Sequence, residues 1–144
     1  MRPLLQKWDL SIDSFQSAID NLLYRTPDIA YNNMGLAYYY KGEYQKAINS
    51  YLMALKALPS YAACHTNLGI AYEALKRWDK AIEAYKKAIQ YSPATPAPYI
   101  RLGRLYSSLN RKDEALGVLK KVLDMVKEGP VAEDVRRLIR EVGK

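Results

Sequence analysis

The sequence predicts an all-α protein, a solenoid of antiparallel helix pairs, and three observations carry the prediction. A residue pattern recurs with a period of 34, its same point marked by Gly35, Gly69 and Gly103. Each copy contains two apolar stripes at helical spacing. Prolines punctuate the joins between copies, at Pro59, Pro93, Pro96 and Pro98.

The chain opens inside a repeat. Residues 4–9 read like residues 74–79, and Ile12, Phe15, Ala18 and Ile19 then match Ile82, Tyr85, Ala88 and Ile89. Residues 4–27 are therefore expected to form a half repeat, a second helix without its partner. Phe15, Ile12, Ile19 and Leu22 would be partly uncovered, inviting cover by another copy, a folded-back N-terminus or, the favoured reading, a missing upstream repeat.

Three full copies follow, at 28–61, 62–95 and 96–129, starting at Asp28, Ala62 and Pro96. Position 4 carries Tyr31, His65 and Tyr99, and position 7 carries Met34, Leu68 and Leu102. Glycine stands at 8 and Tyr38, Tyr72 and Tyr106 at 11. These form one stripe of a first helix. Ala47, Ala81 and Ala115 at position 20, Tyr51, Tyr85 and Leu119 at 24, and Ala54, Ala88 and Val122 at 27 form the stripe of a second helix. Small residues at 8, 20 and 27 let backbones approach, and large ones fill the space beside them. The spacing predicts helices over 28–40, 44–57, 62–75, 78–91, 97–109 and 112–127. Gly42 and Asn110 suit the left-handed turn between paired helices. In residues 130–144, Val131, Val135, Leu138, Ile139 and Val142 form an apolar stripe opposed by Arg136, Arg137 and Arg140. Arg137 stands where a fourth copy would need its glycine, which makes this a capping helix with a polar outer face.

This pattern resembles the tetratricopeptide repeat, W-x2-L-G-x2-Y…A-x3-F…P. The departures are Tyr or His for Trp at position 4 and Lys127 for the loop proline of the third copy. The resemblance implies a right-handed superhelix whose concave face is lined by first-helix positions 2, 5, 6, 9, 12 and 13 and binds peptide segments. Here the expected binding residues are Asn32, Leu36 and Tyr39, then Thr66, Asn67, Ile70 and Glu73, then Arg101 and Arg104. Amides and hydroxyls can pair with a ligand backbone, and arginine can grip a carboxylate through two parallel hydrogen bonds. The partner is thus expected to be a protein or peptide with an acidic or C-terminal carboxylate group. Some family members hold chaperone tails in a clamp of Lys, Asn, Asn, Lys and Arg. This chain has Asn32, Leu36, Asn67, Ala97 and Arg101 at those places, so only Asn67 and Arg101 match, and chaperone-tail binding is not the reading.

A narrower resemblance rests on Leu22 to Asp28 followed by Asn32-x-Met34-Gly35. The stretch is similar to type IV pilus assembly pilotin lipoproteins, scaffolds that help outer-membrane secretins assemble. It implies a place in a bacterial pilus or secretion assembly.

Composition excludes other classes. The lone Cys64 rules out an internal disulfide, and one histidine leaves no Cys/His zinc cluster. No phosphate-loop, dinucleotide-binding, metalloprotease or nucleophile-elbow motif occurs, so neither enzymatic activity nor a cofactor is expected. His65 sits at a packing position. No apolar run is long enough to span a bilayer, so the chain reads as soluble, cytoplasmic, or periplasmic if a signal segment lies outside it. Formal charge is +7, with +4 between Arg101 and Lys144. That balance raises nucleic-acid or acidic-surface binding as an alternative, and the uncovered N-terminal half repeat raises self-assembly as another. Lys86, Lys87, Lys120 and Lys121, however, recur at outer positions 25 and 26, the ordinary solvated face. Most of the thirteen tyrosines occupy packing positions.

Overall fold

The computed structural model describes Ile12 and residues 25–144. Among the described residues there are helices and no strands: α1 (Pro27–Lys41), α2 (Tyr44–Ala57), α3 (Ala62–Ala74), α4 (Trp78–Tyr91), α5 (Pro96–Ser108), α6 (Lys112–Met125) and α7 (Pro130–Val142). Every helix end falls within two residues of the range predicted from periodicity. Proline stands in the first turn of α1, α5 and α7, where its missing N–H costs no helical hydrogen bond. The expected half repeat lies outside the described residues except for Ile12. Ile12 is buried, 8% exposed, so the expectation of an uncovered face does not hold at that residue.

Two compact units divide the chain at Ala84 and Tyr85, within α4. In the first unit α1 packs on α2, α2 on α3, and α1 also touches α3. The close approach rests on Gly35. A Cβ there would lie 2.5 Å from Cδ1 of Tyr51, whose side chain is 1% exposed. In the second unit α5 packs on α6, α6 on α7, and α5 touches α7. A Cβ on Gly103 would lie 2.5 Å from Cδ2 of the fully buried Leu119. At Gly35 and Gly103 the position-8 glycine is the seat of the large residue at position 24, in line with the expected packing of small residues beside large ones.

Each paired-helix turn closes the same way. Glu43, Arg77 and Arg111 donate their backbone N–H to the carbonyls of Tyr38, Tyr72 and Tyr106 at 2.9, 2.9 and 2.8 Å, the six-to-one bond of a helix stop. The preceding residue must turn left-handed. Gly42 does so at φ 87°, Asn110 at 60°, and Lys76 at 58°. Lys76 has no residue-type signal for that conformation. Its backbone follows the turn that its neighbours close.

The joins between copies are tied by a second recurring device. His65 Nε2 donates to the Pro59 carbonyl at 2.8 Å, and the Tyr99 hydroxyl to the Pro93 carbonyl at 2.7 Å. Position 4 thus needs a bulky side chain with a polar tip, which Tyr and His both supply. Lys127 replaces the proline in the third copy, and its carbonyl is again held, here by Arg136 at 2.5 Å.

In α7 the inward residues are Ala132, Val135 and Val142, while Val131 is 41% exposed. The predicted stripe is therefore corrected at its start. Ala132, three residues before Val135, is fully buried and takes the inner place expected of Val131.

Candidate functional site

The predicted binding residues all lie on first helices. In the first unit, Leu36 and Tyr39 of α1 and Thr66, Asn67, Ile70 and Glu73 of α3 are each half-buried. Asn32 differs, being 5% exposed. Its Nδ2 donates to the Tyr61 hydroxyl at 3.3 Å, and its Oδ1 accepts from Asn67 Nδ2 at 3.1 Å. The chain thus joins α1 to α3 through a short amide ladder, in which Asn32 is spent on its neighbours and Asn67 is the member that retains surface. Burial, with Cys64 and Asp28 adding to it, pushes the Tyr61 hydroxyl up against the opposing pull of the Asn32 hydrogen bond.

Around this ladder the surface combines hydroxyl and aromatic groups. Thr66 Oγ1 donates to the Ala62 carbonyl at 3.3 Å and keeps its lone pairs. Tyr39 meets Tyr40 edge-on at 5.5 Å and Tyr44 at 5.3 Å between ring centroids, with Tyr40 58% exposed. Rings fixed against one another present apolar area with little rotamer entropy left to lose.

The residues with nominal reactivity are structural. His65 is 6% exposed and bonded to the Pro59 carbonyl. Cys64 is fully buried, with Sγ donating to the Tyr51 carbonyl at 3.5 Å, and burial pushes its thiol up to about 12. At neutral pH it stays protonated and unreactive. Among the described residues no group of His, Cys, Asp and Glu is placed to hold a metal ion, and no helix is long and apolar enough to cross a membrane.

The remaining predicted residues, Arg101 and Arg104, belong to the second unit. Both are exposed on α5. Arg104 and Ser107 border a cleft of about 260 Å³ between α5 and α7, with Leu119, Leu138, Glu141 and Val142 as further walls. Arg101 does not border it. Leu138, Glu141 and Val142 were not among the predicted site residues, although the signal was present. Counted from Pro130, they occupy positions 9, 12 and 13, the places that Arg104, Ser107 and Ser108 hold in the third copy. The period continues into the capping helix.

Two family models, each described as Tetratricopeptide repeat, match residues 32–98 and 74–137. The solved structure of MamA is 30% identical over 86% of this chain and 77% of that one, with a TM-score of 0.73. The chain belongs to the tetratricopeptide repeat family. Two further similar structures share this repeat fold at 22% identity. One is the complex of the TPR2B domain of yeast Sti1 with pHsp70, covering 81% of this chain and 96% of that one at a TM-score of 0.75. The other is the first tetratricopeptide domain of Spaghetti bound to the HSP90 peptide SRMEEVD, covering 81% and 94% at 0.71. No curated protein sequence matches the chain. Within the family pattern, the amide ladder and the position-4 bonds to Pro59 and Pro93 account for the Asn, His and Tyr residues that this repeat carries.

Proposed function

We propose that this tetratricopeptide repeat chain is a non-catalytic scaffold that binds a peptide segment of a partner protein on its first-helix faces. The observation that carries the reading is the half-buried set on α1 and α3, Leu36, Tyr39, Thr66, Asn67, Ile70 and Glu73. Such residues keep accessible area while their neighbours hold them in place, which lowers the ordering cost of binding. Asn67, braced by Asn32, can pair with a ligand backbone, and Leu36 and Ile70 supply apolar area beside it. Peptide complexes of similarly folded domains support the same use.

For the partner's chemistry, exposed Arg101 and Arg104 favour an acidic segment or a C-terminal carboxylate. The likeness of residues 22–35 to pilotin proteins supports a role within a bacterial assembly such as a type IV pilus or secretion machine. Selection from a random peptide library on the immobilised chain, followed by fluorescence anisotropy, tests the reading. The selected peptides are expected to be enriched in Asp, Glu or a free C-terminus. The double variant Arg101→Glu, Arg104→Glu should bind them about 2–5 kcal/mol more weakly where the contact is desolvated, with unchanged helicity. Failure to select any peptide would overturn the scaffold reading, and equal affinity in the double variant would remove the arginines from it.

A further inference from the structure

The cleft between α5 and α7 has a floor and a rim of different character. Leu119, Leu138 and Val142 make the floor apolar, and Gly103 contributes backbone without a side chain. At about 260 Å³ the space is below the usual range for a drug-sized ligand and suits one side chain with its flanking backbone. Arg104 and Glu141 border the same space, and both are exposed. No side-chain hydrogen bond or ion pair joins either of them to another described residue, although Arg111 with Glu114 and Arg137 with Asp134 pair at 2.7 Å nearby in sequence. A cation and a carboxylate left unpaired on one apolar cleft select for a ligand that brings both charges. Such rim charges set orientation and specificity more than raw affinity.

We infer that this cleft is an anchor site for one aliphatic side chain of a peptide that carries an acidic residue on one side of it and a basic residue on the other. The proposal rests on the scaffold reading and narrows it, because it assigns Arg104 to the acidic flank and gives Glu141, on the capping helix, the basic flank. The capping helix thereby becomes part of the binding surface, contributing the positions 9, 12 and 13 that continue the repeat.

The test titrates the isotopically labelled full chain, followed by amide NMR, with an acetylated, amidated pentapeptide Ala-Asp-Leu-Lys-Ala. Saturable shifts are expected at Gly103, Ser107 and Val142. Replacing the peptide leucine by serine should weaken binding at least about tenfold, the scale of a lost aliphatic contact. The Arg104→Glu variant should come to prefer Lys-Leu-Lys at the centre of the peptide, and Glu141→Lys should come to prefer Asp-Leu-Asp. These variants change exposed residues, and the same spectra report whether the fold is intact. Absence of saturable shifts in the cleft, equal binding of the serine peptide, or charge variants that leave the preference unchanged would each overturn the anchor site. If library-selected peptides bind the chain without shifting these signals, the anchor site falls and the scaffold reading stands.

Discussion

The Tyr99 hydroxyl donates to the Pro93 carbonyl at 2.7 Å, repeating 34 residues later the bond from His65 to Pro59 at 2.8 Å. A residue on each of these first helices is thus tied to the loop that introduces it. Tyr99→Phe keeps the ring and removes the donor, so stability should fall by about 0.5–1.5 kcal/mol. The urea midpoint should drop with the slope unchanged. An unchanged midpoint would show that the ring alone orients the helix.

Gly35 and Gly117 should respond in opposite directions to alanine. A Cβ on Gly35 meets the ring of Tyr51, which is buried and has nowhere to move, so Gly35→Ala should cost about 1–3 kcal/mol through overpacking. Gly117 lies exposed inside α6, and a Cβ there meets nothing within 4 Å. Gly117→Ala should therefore stabilise by about 0.5–1 kcal/mol by removing backbone entropy from the unfolded chain. Thermal melts of the two variants check the sign of each change.

Lys76 holds φ at 58° where the first copy uses Gly42. A left-handed backbone costs a non-glycine residue about 1–2 kcal/mol, part of which glycine gives back through its looser unfolded state. Lys76→Gly should raise stability, and Gly42→Ala should lower it. Denaturation midpoints of the pair measure the exchange, and a destabilised Lys76→Gly would contradict the strain argument.

Arg111 grips Glu114 through two hydrogen bonds at 2.7 and 2.8 Å while stacking on Tyr106 at 4.8 Å from the ring centroid. The hydrogen bond from Arg111, ahead of the attraction of Arg111 and Lys86, holds the Glu114 carboxyl below its usual 4.5. A carboxyl lowered on folding contributes stability above its unfolded value and loses it as pH falls through the folded one. Glu114→Gln should therefore be less stable than the parent at neutral pH and close to it once the parent's Glu114 is protonated in both the folded and the unfolded chain. The difference should be small, since the pair is exposed to solvent. Urea midpoints across the acid range follow it.

The 34-residue period determined the helices and the placing of small residues such as Gly35 and Gly103 where helices approach, because both depend on spacing along the chain. A helix stripe read from periodicity, however, resolves the inward direction only to about one residue. Only packing of α7 on its neighbouring helices could decide that Ala132 faces inward and Val131 outward. Only the closing of the turn after α3 set Lys76 left-handed, since its backbone conformation answers to Arg77 and Tyr72 and not to its own side chain. The Asn32–Asn67 ladder spans 35 residues and the α5–α7 cleft joins helices adjacent in space but not in sequence. The sequence named Asn67 and Arg104 as outward-facing, while the folded chain decided what stands beside them, because a contact between two helices depends on their relative placement as well as on either pattern.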